Sequence, residues 1–210
     1  MAAPTYAAEF FILPGTKTLL MMGETQVKDV QILRAKIEDN DINALVLKGP
    51  GGSLKAGYAL SNIVLENKLT ITIPKDTDCA SACSLIFVSG DNRIMEKGSR
   101  LGFHLPFVKF ESWDVADYCR SISPFKKRGL IGKDDTYWRG ALNAEKDIPG
   151  CLMRTYQQGL KDIRKLSKIF KRDGISEDVM DLLIDTPSDK MAWISLLDAK
   201  KYGLVSNQGN

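Results

Sequence analysis

The sequence predicts an α/β domain with a mainly parallel sheet, and three features of its first half carry that reading. Ala44-Leu45-Val46-Leu47 is an unbroken apolar run, which reads as a buried strand. Val27, Val30, Leu33 and Ile37 fall on one face of a helix over Val27–Asp39 just before it. Gly49-Pro50-Gly51-Gly52-Ser53 then separates the strand from a second helical stretch, Ala56–Glu66. Strands joined through helices lie parallel, because the crossover returns the chain to the same end of the sheet.

The remaining elements follow in order. Phe10–Leu13 and Thr18–Met22 read as short strands, the second closed by Gly23-Glu24. Thr70-Ile71-Thr72-Ile73 is a further strand, and Ala82–Val88 an apolar helix. From Phe107 to Gly150 the pattern loosens into aromatic and charged residues with Pro124, Gly129, Gly132 and Gly140. We read residues 107–150 as an inserted, mostly helical segment or lid within a single domain spanning 1–210. Val179–Ile184 and Leu196–Leu204 close the domain.

Composition excludes several classes. The chain has 210 residues, enough for one domain with its own core. Its 29 basic and 26 acidic residues leave a net charge of +3, which predicts no strong pull toward nucleic acid or an anionic membrane. The basic clusters at Lys126-Lys127-Arg128 and between Arg154 and Arg172 read as solvated faces. No run approaches the ~20 apolar residues of a membrane-spanning helix.

Residues 1–9 have no basic stretch and no long apolar stretch, so no signal peptide is expected in them. They resemble the small-residue start of a mature secreted chain preceded by a Met. The four cysteines, Cys79, Cys83, Cys119 and Cys151, are even in number and admit three full pairings. With one histidine and no CxxC, the residues argue against a zinc site. Disulfides would place the chain in an oxidising compartment. Of the pairs, Cys119 with Cys151 is the expected one, since a bridge from Cys79 to Cys83 would strain the turn between them.

Two places carry chemistry. In Gly49-Pro50-Gly51-Gly52-Ser53 the adjacent glycines let main-chain amides approach a ligand, as half of an oxyanion hole or as a phosphate cradle. The segment matches neither the P-loop nor the GxGxxG pattern. A tight strand-to-helix turn is the structural alternative. In Asp78-Cys79-Ala80-Ser81-Ala82-Cys83-Ser84, a serine stands between a strand and an apolar helix among small neighbours. There its hydroxyl projects from the bend and the next amide faces a developing oxyanion. The structural alternative is a helix cap, and Cys79 and Cys83 are rival nucleophiles. His104 ends the apolar run Leu101-Gly102-Phe103 and precedes Leu105-Pro106. As the only histidine it is the one candidate for a histidine base, and a structural role is its alternative.

In this order, Gly49-Pro50-Gly51-Gly52-Ser53, Ala80-Ser81-Ala82-Cys83 and Arg100-Leu101-Gly102-Phe103-His104-Leu105-Pro106 resemble the Clp protease and crotonase-like superfamily. The stretch Cys79–Gly90 followed by Gly102-Phe103-His104 is most similar to the Clp-protease-like proteins of bacterial periplasms. Asp185-Thr186-Pro187-Ser188-Asp189 and Ala199–Val205 look like the family's acid-bearing loop and closing helix. Cys83 stands where the family pattern often has glycine.

The resemblance implies a ββα superhelix, with Ser81 as nucleophile, His104 as base and the amides of Gly52 and Ala82 as oxyanion hole. It implies Asp189 as the acid that orients the imidazole, with Asp185 as the rival. The implied protein is a serine peptidase working through an acyl-enzyme, on a peptide or protein substrate, without metal or cofactor. It would be periplasmic or otherwise extracytoplasmic and a homo-oligomer. A non-catalytic binding or assembly module and a crotonase-like acyl-CoA enzyme are the alternatives. In the resembled proteases a protruding helix packs between subunits. Leu152, Tyr156, Leu160, Ile163, Leu166 and Phe170 give one apolar helical face here.

Overall fold

The computed structural model describes residues 8–104, 148–186 and 190–206. Two compact units divide the chain. One comprises the residues up to Leu105 and from Ile169 onward; the other spans Pro106–Lys168.

The first unit holds all the strands found among the described residues. A hairpin of β1 (Glu9–Ile12) and β2 (Thr18–Thr25) leads through α1 (Asp29–Asn40) into β3 (Ala44–Gly52). Helix α2 (Leu54–Glu66) crosses to β4 (Thr70–Ile73). Then come β5 (Asp78–Ala80), α3 (Ala82–Val88), β6 (Asn92–Met95) and β7 (Arg100–Phe103). Helix α4 runs Ile148–Arg172, from the second unit into the first, followed by α5 (Asp178–Asp185), β8 (Ala192–Ser195) and α6 (Leu196–Lys201).

Strand β3 is where the sheet forks. Its first half pairs with β4, which continues to β6, while Gly49 pairs with Cys79 of β5, which continues to β7 and β8. Among the described residues only the β1–β2 and β7–β8 ladders are antiparallel, so the sheet is mainly parallel as the crossovers require. Leu45 and Leu47 on β3, Ile71 and Ile73 on β4, and every residue of α3 are buried, which makes α3 the central helix of the core.

Several boundaries differ from the sequence reading. Strand β3 does not stop at Leu47 but continues through Gly52, because Glu24 and Thr25 of β2 pair with Gly51 and Gly52. A register shift between Met22 and Glu24 carries β2 past its own glycine. Strands β5, β6 and β8 are three or four residues each, too short for a period to show. The expected insertion at 107–150 lies outside the described residues, apart from its last three, which open α4.

The segment after α6 is fastened by Arg93 on β6. Its guanidinium donates to the carbonyls of Val88, Asp173, Gly203 and Leu204. Among the described residues, no helix is long and apolar enough to cross a membrane.

Candidate active site

Parallel pairing of β5 with β7 builds the site. Ala80 lies opposite Gly102, and the Ser81 amide extends the ladder by donating to the Gly102 carbonyl at 2.8 Å. Two residues beyond Gly102 comes His104. The strands are tied at their other end by Arg100, which donates to both carboxylate oxygens of Asp78 at 2.9 and 2.7 Å. The Arg100 guanidinium also lies 4.6 Å from the Trp193 ring centre. This hydrogen-bonded pairing holds the Asp78 carboxyl below its usual range. Both partners are solvent-exposed, so the pair aligns the strands more than it stabilises the fold.

Ser81 brings its Oγ within 2.8 Å of His104 Nε2. Both residues are part-buried. The backbone explains how the hydroxyl gets there. Ser81 precedes α3 with φ 54° and ψ −121°, a conformation that L-residues rarely adopt. Its side chain makes no capping hydrogen bond. Among the described residues, the two other serines that open helices behave in the ordinary way. Ser53 accepts from the Ala56 amide at 3.3 Å and Ser195 from the Asp198 amide at 3.2 Å, each with negative φ. Ser81 therefore occupies a cap position without capping, and its hydroxyl is directed to an imidazole instead.

One glycine of the pair lies against this turn. A Cβ on Gly51, at φ 91°, would fall 2.7 Å from Ser81 Cβ and 2.8 Å from the Ala82 nitrogen. Gly51 is thus the glycine that abuts the Ser81 turn, whereas the resemblance implied an oxyanion-hole amide from Gly52. Gly52, at φ 140°, instead packs on Glu24 and Thr25, and the Thr25 carbonyl accepts the Ser53 amide at 2.8 Å. The adjacent glycines signalled a close approach, but which of them made it depended on the register of β3.

Ser84 is a further residue the sequence did not single out. Its hydroxyl lies 2.7 Å from the Cys79 carbonyl and 2.9 Å from the Gly102 carbonyl, sharing one proton between the strands on either side of the turn. Cys79 and Cys83 form a disulfide, against the expectation that this pair was the less favoured. The sharp bend at Ser81 is the reason. It leaves the two Cα atoms 5.3 Å apart, inside the usual span of a bridge. The pairing expected between Cys119 and Cys151 falls outside the described residues. So does Asp189, while Asp185 is exposed in the final position of α5.

No protein-family model matches the chain, and no curated protein matches it by sequence. Among solved structures, ClpP1 from Listeria monocytogenes superposes with a TM-score of 0.57 at 15% identity, covering 90% of this chain and 88% of that one. A point mutant of the same protein gives a TM-score of 0.46 at 17% identity over the same shares, too low to add to the argument. At such identities the likeness speaks for architecture alone, and the architecture is that of ClpP: this chain has a ClpP-like fold.

Proposed function

We propose that the protein is a serine hydrolase, a peptidase in which Ser81 is the nucleophile and His104 its base. The observation that carries the reading is the 2.8 Å contact between Ser81 Oγ and His104 Nε2, made by a serine that forgoes its cap. With Nε2 as acceptor, the Ser81 proton passes to the imidazole as Oγ attacks the substrate carbonyl carbon. The same proton then goes to the leaving amine, and water hydrolyses the acyl-enzyme with His104 again as base. The amides of Gly52 and Ala82 receive the oxyanion, and Gly51 gives the substrate carbonyl room beside the turn. Asp189 is proposed as the group that orients the imidazole through Nδ1.

The buried Cys79–Cys83 bridge supports an extracytoplasmic, periplasmic setting, where disulfides persist. A peptide substrate and a homo-oligomer of three or more subunits complete the proposal. Leu160, exposed on α4 beside lysines and arginines, supports assembly through that helix. Light scattering at tens of micromolar checks it, and a monomeric mass would refute it.

The decisive test is covalent. A fluorophosphonate is expected to label wild-type protein at Ser81, and Ser81→Ala to abolish the adduct. His104→Ala is expected to slow labelling ~10²–10⁴-fold, the range of a lost general base. Wild-type protein that takes no label would leave a non-catalytic module on the same fold. Labelling that survives in Ser81→Ala would move the nucleophile elsewhere.

A further inference from the structure

We propose that Cys79 and Cys83 are positioning residues for Ser81, their disulfide holding the nucleophile against His104; the inference rests on the hydrolase reading above. The bridge joins the middle residue of β5 to the second residue of α3, so its ring contains Ala80-Ser81-Ala82 and nothing else. Ser81 is the centre of that ring, two residues from each sulfur-bearing residue. Both cysteines are buried, at 0% and 4% exposure, so the cross-link grips the turn from the core side. The Ser81 hydroxyl within the ring meets His104 Nε2 at 2.8 Å.

The turn has a specific need for such a tie. A non-glycine residue at φ 54°, ψ −121° persists only where its surroundings over-determine it. Packing cannot supply much restraint here, because the neighbours are small. Ala80 and Ala82 flank Ser81, Gly51 lies over it, and Gly57 of α2 abuts Ala82. Larger side chains would restrain the turn but also fill the space a substrate carbonyl needs. Three hydrogen-bonded groups help: the Ser81 amide on Gly102, the Leu85 amide on the Ser81 carbonyl, and the Ser84 hydroxyl. The two amides hold backbone around the turn and the Ser84 hydroxyl links α3 to β5 by a hydrogen bond, whereas the disulfide joins β5 and α3 covalently.

The position of the bridge also argues against a mainly global role. Cross-linking removes more freedom from the unfolded chain when the closed loop is long, and this loop is among the shortest possible. Its leverage is local. A displacement of about 1 Å at a reacting group can cost ~10²-fold in rate.

Two bridge-free proteins test the idea, Cys79→Ala/Cys83→Ala and the more isosteric Cys79→Ser/Cys83→Ser. Circular dichroism reports their fold, and fluorophosphonate kinetics separate binding of the reagent from the bond-forming step. The expected result is a folded protein whose bond-forming constant falls ~10–100-fold while reagent binding is little changed. A second readout needs no activity. The chain has one histidine, so the His104 ring proton gives an unambiguous NMR signal. In the bridge-free proteins it should move to the position it takes in Ser81→Ala. Wild-type labelling rates together with a wild-type His104 signal in either folded pair would overturn the proposal. So would unfolding of both pairs, which would make the bridge a folding staple. If wild-type protein takes no label, the hydrolase reading fails. The His104 signal still decides whether the bridge holds the pair.

Discussion

At the turn from β3 into α2, Ser53 has φ −61° and ψ 116°, and its hydroxyl accepts the Ala56 amide. At the turn from β5 into α3, Ser81 has φ 54° and ψ −121°, and its hydroxyl meets His104. Both serines follow a parallel strand and open a helix in the same sheet. In the first turn, glycines at positive φ absorb the bend and leave the serine free to cap. In the second no glycine is present, so the serine itself takes the strained conformation and loses its cap. The difference shows which of these two serines carries the strain of its turn. It sits on the residue whose hydroxyl has another partner, which is the usual signature of a functional site.

Gly51→Ala should disturb this contrast most, since it puts bulk from the relaxed turn into the strained one. The new Cβ would meet Ser81 Cβ at 2.7 Å and the Ala82 nitrogen at 2.8 Å, at a φ of 91°. Backbone strain and overpacking each cost ~1–3 kcal/mol. A lower melting temperature and a fluorophosphonate rate reduced by at least ~10-fold are expected. Near-normal labelling in a destabilised protein would show that Gly51 serves the fold and leaves the nucleophile alone.

The two caps themselves give a smaller, sharper test. Ser53→Ala removes a real capping bond and should cost ~1 kcal/mol, with labelling retained. Ser81→Ala removes none and should leave denaturant stability within ~0.5 kcal/mol of wild type while abolishing the label. Equal losses of stability in the two variants would mean that Ser81 caps α3 in solution.

How far these turns could be read from sequence follows from what each depends on. The crossover helices and β3 were visible because their patterns run for several residues, as in Ala44–Leu47 and in Val27, Val30, Leu33 and Ile37. Ser81 and His104 were visible through the order of three short motifs, although 23 positions separate them. What stayed hidden depends on register and backbone angle. That β3 runs on to Gly52 is decided by pairing with Glu24 and Thr25, so Gly51, not Gly52, came to abut Ser81. The disulfide expectation failed for a related reason. Sequence separation says that Cys79 and Cys83 are close along the chain, but only the left-handed φ of Ser81 aims them at one another. Strand β8 alternates between buried and exposed residues, but its four residues are too few for that period to stand out in the sequence.

The turn from β2 into α1 extends the comparison to a carboxylate, with the smallest expected effect. Asp29 is buried, its Oδ2 accepts the Gln26 amide at 2.6 Å, and its Oδ1 has no hydrogen-bond partner among the described residues. Burial pushes its carboxyl above the ordinary value of 3.8, while the Gln26 amide and the Lys28 charge pull it back. The native state therefore binds this proton more tightly than the unfolded chain does. Stability falls as pH rises from the ordinary carboxylate value through the raised one, and above it the burial penalty is complete. Asp29→Asn keeps an oxygen for the Gln26 amide and removes the charge. Its melting temperature should exceed that of wild type at neutral pH, by ~2–4 °C for each kcal/mol recovered in a chain of this size. The gap should narrow as pH falls toward the ordinary carboxylate range. Because Asp29 supports Gln26, next to the Thr25 carbonyl that receives Ser53, the substitution acts on the relaxed turn and fluorophosphonate labelling should not change. A lower melting temperature at neutral pH would mean that the fold uses the charge of Asp29 and that burial is not the dominant influence on it.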